Sequence, residues 1–125
     1  MRKKKIFVID DDTIFLEELE STLDSNGYEP TVCNGGSETQ VLLNKSKPDL
    51  ILIDLKMEQM SGFQLAKEIR RSPDFKFTPI VAMTGHFKAA EHGLLMRICG
   101  IKTCLYKPFS PARLFACLET YLNKK

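Results

Sequence analysis

Five short segments of the chain are rich in apolar residues. Residues 6–9, 50–53 and 79–83 are runs of mainly Ile, Leu and Val, which is the pattern of strands buried on both faces in a parallel sheet. Residues 29–33 and 103–106 are weaker strand candidates. The pattern therefore predicts five strands.

Between these segments, apolar residues recur at the three- and four-residue spacing of amphipathic helices. Gly27 and Gly100 follow two of these stretches as helix stops, and Ser110 with Pro111 opens the last one. The stretch 37–44 is the least certain helix, and most apolar residues near the end of the fourth helix are expected to be core. The helix-defining residues are Phe15, Leu16, Leu19 and Leu23; Phe63, Ala66 and Ile69; Ala90, Leu94, Leu95 and Ile98; and Leu114, Phe115, Leu118, Tyr121 and Leu122.

Strands and helices alternate strictly, five of each. This order predicts an α/β fold in which one open parallel sheet carries helices on both faces. The chain has 125 residues and no linker or repeat, so we expect a single domain spanning 1–125. In such sheets, functional residues lie beyond the carboxyl ends of the strands.

Composition and charge exclude several classes of protein. Apolar residues make up 43% and charged residues 27% of the chain, which is typical of a globular protein. The net charge is only +2, so we expect no direct binding to nucleic acid or to a membrane. No apolar run approaches the roughly 20 residues of a membrane span, and the basic start lacks the apolar stretch of a signal peptide. We therefore expect a cytoplasmic protein.

The cysteines do not indicate a metal cluster. They have unrelated spacings, form no C-x-x-C pair, and do not lie at zinc-site spacing from the two histidines. We expect four reduced thiols in or near the core: Cys33, Cys99, Cys104 and Cys117.

Chemically active side chains follow four of the predicted strands. Three consecutive aspartates, 10–12, follow the first strand, Asp54 ends the third, Thr84 ends the fourth and Lys107 follows the fifth. Parallel strands place their carboxyl ends at one edge of the sheet, so carboxylates, a hydroxyl and an ammonium should meet there.

The carboxylates at this edge require compensation. Two charges about 4 Å apart repel by about 4 kcal/mol at an effective dielectric constant near 20, so Asp10, Asp11 and Asp54 need a cation or protons. An oxygen-rich site with room for water suits Mg²⁺. The alternative is that acids at a strand–helix junction cap the helix; we predict this for Asp12 and leave it open for Asp10 and Asp11.

A carboxylate beside a divalent cation can attack phosphorus and form an acyl phosphate. Asp54 is the candidate nucleophile. The cation and the Lys107 ammonium would neutralise the oxygens of the transferring phosphoryl group, and the Thr84 hydroxyl could then hydrogen-bond to the group.

These motifs resemble the signature of response-regulator receiver domains of two-component signalling, the CheY-like superfamily. The resemblance rests on VIDD at 8–11, IDLKM at 53–57 with Gly62, MTG at 83–85 and KPF at 107–109. It covers residues 5 to 122 and is specific, because every site position occurs in order after its own strand. It implies a flavodoxin-like (βα)5 fold with strand order 2-1-3-4-5.

The resemblance also implies a function. Asp54 would accept a phosphoryl group from a phosphohistidine on a sensor histidine kinase or phosphotransfer protein, with Thr84 as switch hydroxyl and Lys107 as ion-pair partner. The bond before Pro108 should be cis.

The protein would be a signalling domain rather than an enzyme, assisting its own phosphotransfer and acyl-phosphate hydrolysis. It would signal to an unknown protein target through its fourth helix, fifth strand and fifth helix, with a phosphorylation-dependent dimer as a further candidate. No output domain is expected in this chain, which either stands alone or comes from a longer protein.

The metal ligands follow from the same resemblance. Asp11 and Asp54 would bind Mg²⁺ directly, with Mn²⁺ as the alternative ion. The backbone carbonyl of Lys56 would be the third protein ligand, and Asp10 would act through a bound water.

The chain departs from the family pattern near the site. Glu58 replaces a common proline, which predicts a more mobile loop at 58–62. Cys104 stands where the family usually has an aromatic residue that swings inward on phosphorylation. Tyr106, on the same strand face, either substitutes in part, or the output surface reports movement of Thr84 without an aromatic side chain.

Two further positions could control the lifetime of the acyl phosphate. Lys56 and His86 lie two residues after Asp54 and Thr84, respectively. In this family, residues at these positions admit or obstruct the attacking water. We hypothesise that both side chains shift the lifetime; the alternative is that they are exposed polar residues without a kinetic role.

Three other functions compete with this interpretation. A haloacid-dehalogenase-like phosphatase would use Asp10 as nucleophile and Asp12 as general acid, but it needs an acidic group after Lys107, where the chain offers only Glu119 in the last helix. A flavin binder is disfavoured because the aspartates would repel phosphate. A receiver that binds partners without being phosphorylated is the third alternative.

Overall fold

The computed structural model describes residues 2–85 and 89–122, and its elements follow the predicted alternation. The elements are β1 (Lys5–Ile9), α1 (Thr13–Ser25), β2 (Glu29–Cys33), α2 (Thr39–Ser46), β3 (Leu50–Asp54), α3 (Gly62–Arg70), a 3-10 turn (Pro73–Phe75), β4 (Ile80–Thr84), α4 (Ala89–Ile98), β5 (Ile101–Tyr106) and α5 (Pro111–Leu122).

All five strands are parallel and lie in the order β2-β1-β3-β4-β5, which confirms the expected fold class. The register aligns the strand ends: Ile9 lies opposite Ile53, and Asp54 lies opposite Met83. The ends of β1, β3 and β4 therefore meet at one edge of the sheet. None of the helices in the described part of the chain is long and apolar enough to cross a bilayer.

The central strands are buried on both faces. Phe7 and Ile9 of β1 point to one core, which α3 helps to close, and Ile6 and Val8 point to the other, under α1 and α5. Each fully buried large apolar side chain contributes about 1.5–3 kcal/mol to stability. Burial on both faces holds the site-bearing ends of the strands in a fixed scaffold.

Helix ends follow the sequence signals, but one helix and one strand begin at other residues than predicted. Ser110 accepts a hydrogen bond from the Arg113 amide and caps α5 as predicted, and Gly27 after α1 has a positive φ of 87°. The uncertain second helix forms but begins at Thr39, after the predicted start. The fifth strand starts two residues earlier than predicted, at Ile101.

The 3-10 turn was not predicted, and Arg70 explains how it is held. Its guanidinium donates to the carbonyl oxygens of Phe75 at 2.7 Å and Thr78 at 2.6 Å, and to that of Gly100 at 2.8 Å. One side chain thus connects the end of α3 with the approach to β4 and the turn before β5.

The expectation that the apolar residues at the end of α4 are core is only partly right. Cys99 and Ile101 are buried, but Leu94 is 57% exposed, Leu95 41% and Ile98 63%. Helical periodicity identifies an apolar face without specifying what covers it. Much of this face of α4 is open to solvent.

Gly62 lets α3 begin close to β3. A Cβ atom at this position would lie 2.2 Å from the backbone oxygen of Asp54 and 2.8 Å from the Cα of Leu55. The Gly62 amide instead donates to the Leu55 carbonyl at 3.0 Å. Only glycine fits this approach without moving the backbone that carries Asp54.

We predict that Gly62→Ala lowers the free energy of unfolding by about 1–3 kcal/mol, because the added methyl group meets backbone atoms. The matched control is Gly93→Ala in α4, where an added Cβ meets nothing within 4 Å. That change should raise stability by about 0.5–1 kcal/mol, since alanine favours helix. Urea denaturation measures both variants, and equal effects would show that Gly62 is not required for the close approach of α3 to β3.

Candidate functional site

The structure brings three predicted carboxylates together. Asp10 follows β1, Asp11 lies beside it, and Asp54 ends β3. One carboxylate oxygen from each lies within 4.8 Å of the other two. Asp10 is 1% and Asp54 6% exposed, whereas Asp11 is exposed. The site therefore has two buried acids and one acid at its mouth.

Lys107 lies over these acids. Its Nζ is 2.5 Å from Oδ2 of Asp10 and 3.6 Å from Oδ1 of Asp54. The same ammonium is 4.2 Å from the ring centroid of Phe15, a cation–π distance. Phe109 packs edge-on against that ring, with centroids 5.9 Å apart. The lysine is thus held between the acids and an aromatic face.

Backbone amides and the Lys107 ammonium donate hydrogen bonds to particular carboxylate oxygens of Asp10 and Asp11. Oδ1 of Asp10 accepts from the Asp12 amide at 3.0 Å and its Oδ2 from Lys107, so both oxygens already have protein donors. Asp11 accepts through Oδ2 from the Glu58 amide at 2.9 Å. The two neighbouring aspartates are therefore held differently.

Asp54 has an unusual protonation equilibrium. Burial, followed by the negative charge of Asp10, raises its pKa from 3.8 to about 6; Lys107 and the Lys56 backbone amide oppose the rise, and Asp11 adds to it. One ammonium thus does not neutralise the carboxylates. The remaining charge and the all-oxygen donor set fit a hard divalent cation such as Mg²⁺.

Thr84 and Lys107 are joined through the backbone. Thr84 ends β4 with 2% exposure, and its carbonyl accepts a hydrogen bond from the Lys107 amide at 2.8 Å. The Lys107–Pro108 peptide is cis, as the resemblance implied. Thr84 at the end of β4 and Lys107 directly after β5 therefore lie side by side at the same edge of the sheet.

Asp12 has the structural role predicted for it. It is the N-cap of α1 and accepts from the Phe15 amide at 3.1 Å. Its carboxylate therefore serves the helix, which weighs against the phosphatase alternative in which Asp12 is a general acid.

The structure describes three of the residues that were singled out near the site: Lys56, Cys104 and Tyr106. Burial, and then the charge of Asp54, raises the pKa of Cys104 to about 11, so this half-buried thiol is neutral. Tyr106 is 48% exposed and Lys56 is exposed. His86 lies outside the described residues. The four cysteines are reduced and buried or half-buried, as expected.

Sequence reasoning missed two contributions to the site. Phe15 was assigned only to a helix face, and no local signal pairs it with Lys107. The Glu58 amide was also missed. A signal for it was present, because glutamate in place of the common proline supplies a backbone N–H donor that proline lacks.

Comparisons with known proteins agree with this geometry. Residues 6–119 match the family model described as the response regulator receiver domain. The structure resembles that of the Vibrio cholerae chemotaxis protein CheY4, with 30% identity, a TM-score of 0.92, and coverage of 97% of this chain and 100% of that one.

Two further proteins are similar over nearly the whole chain. A probable transcriptional regulator, ycf27 of Porphyra purpurea, is 29% identical over 98% of this chain and 49% of its own length; the chain spans about half the length of such curated relatives. The receiver domain of sensor histidine kinase PA1611 from Pseudomonas aeruginosa PAO1, solved with magnesium in its active site cleft, shares the fold at 24% identity, with a TM-score of 0.84 and coverage of 98% of this chain and 100% of that one.

We predict that Asp54→Asn stabilises the magnesium-free protein in a pH-dependent way. The folded protein holds the Asp54 proton more tightly than the unfolded chain, so wild-type stability falls as the pH rises from about 4 to about 6. The stability of the variant relative to wild type should therefore increase over this interval, by up to about 3 kcal/mol. Urea titrations with a chelator measure the difference.

Asp49→Asn is the control of opposite sign. Burial raises the pKa of Asp49, but hydrogen bonds from Arg2 and the Lys5 amide outweigh it, so the net pKa is lowered. That variant should lose stability relative to wild type as the pH rises. If both variants changed with pH in the same direction, the raised pKa of Asp54 would be refuted.

Proposed function

Because the chain belongs to the response regulator receiver domain family, we propose that residues 1–125 form one receiver domain that is phosphorylated on Asp54. The donor would be a phosphohistidine on a sensor histidine kinase or phosphotransfer protein. The observation that carries the proposal is the position of Asp54: it is buried at the end of β3, 3.6 Å from the Lys107 ammonium and beside two further carboxylates.

Phosphoryl transfer forms one bond and breaks one. A carboxylate oxygen of Asp54 bonds to phosphorus, and the phosphorus–nitrogen bond breaks with its electron pair left on the imidazole. Lys107 balances charge on the transferring oxygens. With its pKa near 6, Asp54 is mainly ionised, and so nucleophilic, at neutral pH.

The metal assignments are supported by the oxygen atoms left available. Asp11, Asp54 and the Lys56 carbonyl would bind Mg²⁺ directly, with Mn²⁺ as the alternative ion. Asp10 would act through a water, because both its oxygens already accept hydrogen bonds from protein donors. When bound, the cation neutralises charge on the phosphoryl oxygens.

The signal would travel from Thr84 to the surface formed by α4, β5 and α5. The Thr84 hydroxyl would hydrogen-bond the acyl phosphate and so bias two nearby states of this surface. Cys104 is small and neutral, so we propose that the surface reports Thr84 movement without an aromatic switch. The exposed Leu94 and Ile98 of α4 would contact the downstream protein target, or a second copy in a phosphorylation-dependent dimer.

The protein is a signalling domain in this proposal. Its chemical contribution would be limited to assisting its own phosphotransfer and the later hydrolysis of the acyl phosphate. A cytoplasmic location stays a prediction. The family match and the capping role of Asp12 leave the phosphatase alternative without support.

A set of Asp→Asn variants tests the proposal. We predict that a small-molecule phosphodonor with magnesium labels the wild-type protein and not Asp54→Asn. Asp12→Asn should still be labelled, because asparagine caps helices as well as aspartate does. Intact-mass spectrometry and mapping of the acyl phosphate provide the measurement.

The outcomes separate the alternatives. Label on Asp10, with loss of activity in Asp12→Asn, would support the phosphatase instead. An unlabelled wild-type protein that binds magnesium would indicate a receiver that acts without phosphorylation.

We further predict that Lys56→Asn shortens the acyl-phosphate lifetime by roughly threefold, about 0.7 kcal/mol of barrier. A shorter side chain beside Asp54 would obstruct the attacking water less, and His86→Ala should act in the same direction. Lys67→Asn, an exposed lysine of α3, is the matched control. Dephosphorylation rates that are equal in all variants would refute the hypothesis.

A further inference from the structure

The loop between β3 and α3 reaches back to the acidic cluster through one backbone donor. The amide of Glu58 donates to Oδ2 of Asp11 at 2.9 Å, although the two residues are 47 positions apart in sequence. The contact needs a residue with an N–H at position 58. Proline, which the family commonly has there, could not make it.

We propose that the Glu58 amide is a positioning group that orients Asp11 as a magnesium ligand. The inference rests on the proposed metal role of Asp11. It adds that in this chain the loop, rather than a neighbouring side chain, sets the orientation of that carboxylate before the ion binds.

The three acids differ in how much they need such a group. Asp10 is buried and held through both oxygens by the Asp12 amide and Lys107, and Asp54 is buried at a strand end. Asp11 is the exposed member of the cluster. An exposed aspartate loses rotamer freedom when it binds an ion, and a hydrogen bond that already restricts it reduces this loss.

The donor also suits the charge of the site. An amide N–H directed at a carboxylate forms a charge-assisted hydrogen bond and offsets part of the repulsion between Asp11 and its neighbours. The bond uses Oδ2, so Oδ1 would be the oxygen available to the ion. Partners of this kind orient metal ligands, and removing one typically costs 10–100-fold in metal affinity.

The loop is itself supported. Met57, directly before Glu58, packs against Gly35 in the loop after β2: a Cβ on Gly35 would lie 3.2 Å from its Sδ. The loop that the sequence predicted to be mobile is therefore attached to Asp11 on one side and to the loop after β2 on the other. By reciprocity, magnesium binding should order this loop.

The test compares two substitutions at one position. Glu58→Ala removes the carboxylate but keeps the amide donor, whereas Glu58→Pro removes the donor as well. Magnesium affinity is measured by isothermal titration calorimetry on the full chain, without phosphodonor. We expect the proline variant to bind magnesium about tenfold more weakly than the alanine variant. Equal or tighter binding by the proline variant would overturn the proposal.

Amide hydrogen exchange provides a measurement that does not need the proline variant to fold. In the metal-free wild-type protein, exchange at Glu58 should be slowed, and Asp11→Ala should speed it up. Exchange at the same rate in both proteins would overturn the proposal.

The failure of this inference is distinguishable from failure of the proposed function. If the wild-type protein binds magnesium and is phosphorylated on Asp54 while the position-58 variants bind alike, only the role of the amide is wrong. If the wild-type protein does not bind magnesium at all, both proposals fail.

Discussion

Mutual repulsion between carboxylates at one edge of the sheet is the constraint on which this protein depends. Asp10, Asp11 and Asp54 present oxygens within 4.8 Å of one another, and Lys107 supplies a single positive charge. Burial, and then the charge of Asp10, raises the pKa of Asp54 despite the nearby ammonium. A site with excess negative charge around a buried carboxylate favours a divalent cation.

Two hydrophobic cores hold these charges in place. The strands that end in the acids are buried on both faces, so the acids cannot separate without disturbing the packing on either side of the sheet. The close approach of Gly62 to the Asp54 backbone ties the start of α3 to the same strand. The scaffold thus maintains an arrangement that electrostatics alone would disperse.

The features particular to this chain lie around that shared site. The Phe15 ring contacts the Lys107 ammonium, and the Glu58 amide donates to Asp11 from the neighbouring loop. Cys104 is a half-buried neutral thiol where the family pattern commonly has an aromatic residue. The first two contacts orient Lys107 and Asp11 and leave the carboxylates, Thr84 and Lys107 of the site unchanged.

The sequence by itself determined the alternating elements, the parallel sheet and the residues at each strand end, because burial on both faces and helical periodicity are local patterns that one segment displays alone. The cap at Asp12 was predictable for the same reason. The tertiary structure alone decided that Leu94 and Ile98 face solvent, that Lys107 lies on Phe15 and that Glu58 donates to Asp11. Each of these depends on the distance and direction between segments far apart in the chain, which no local pattern encodes.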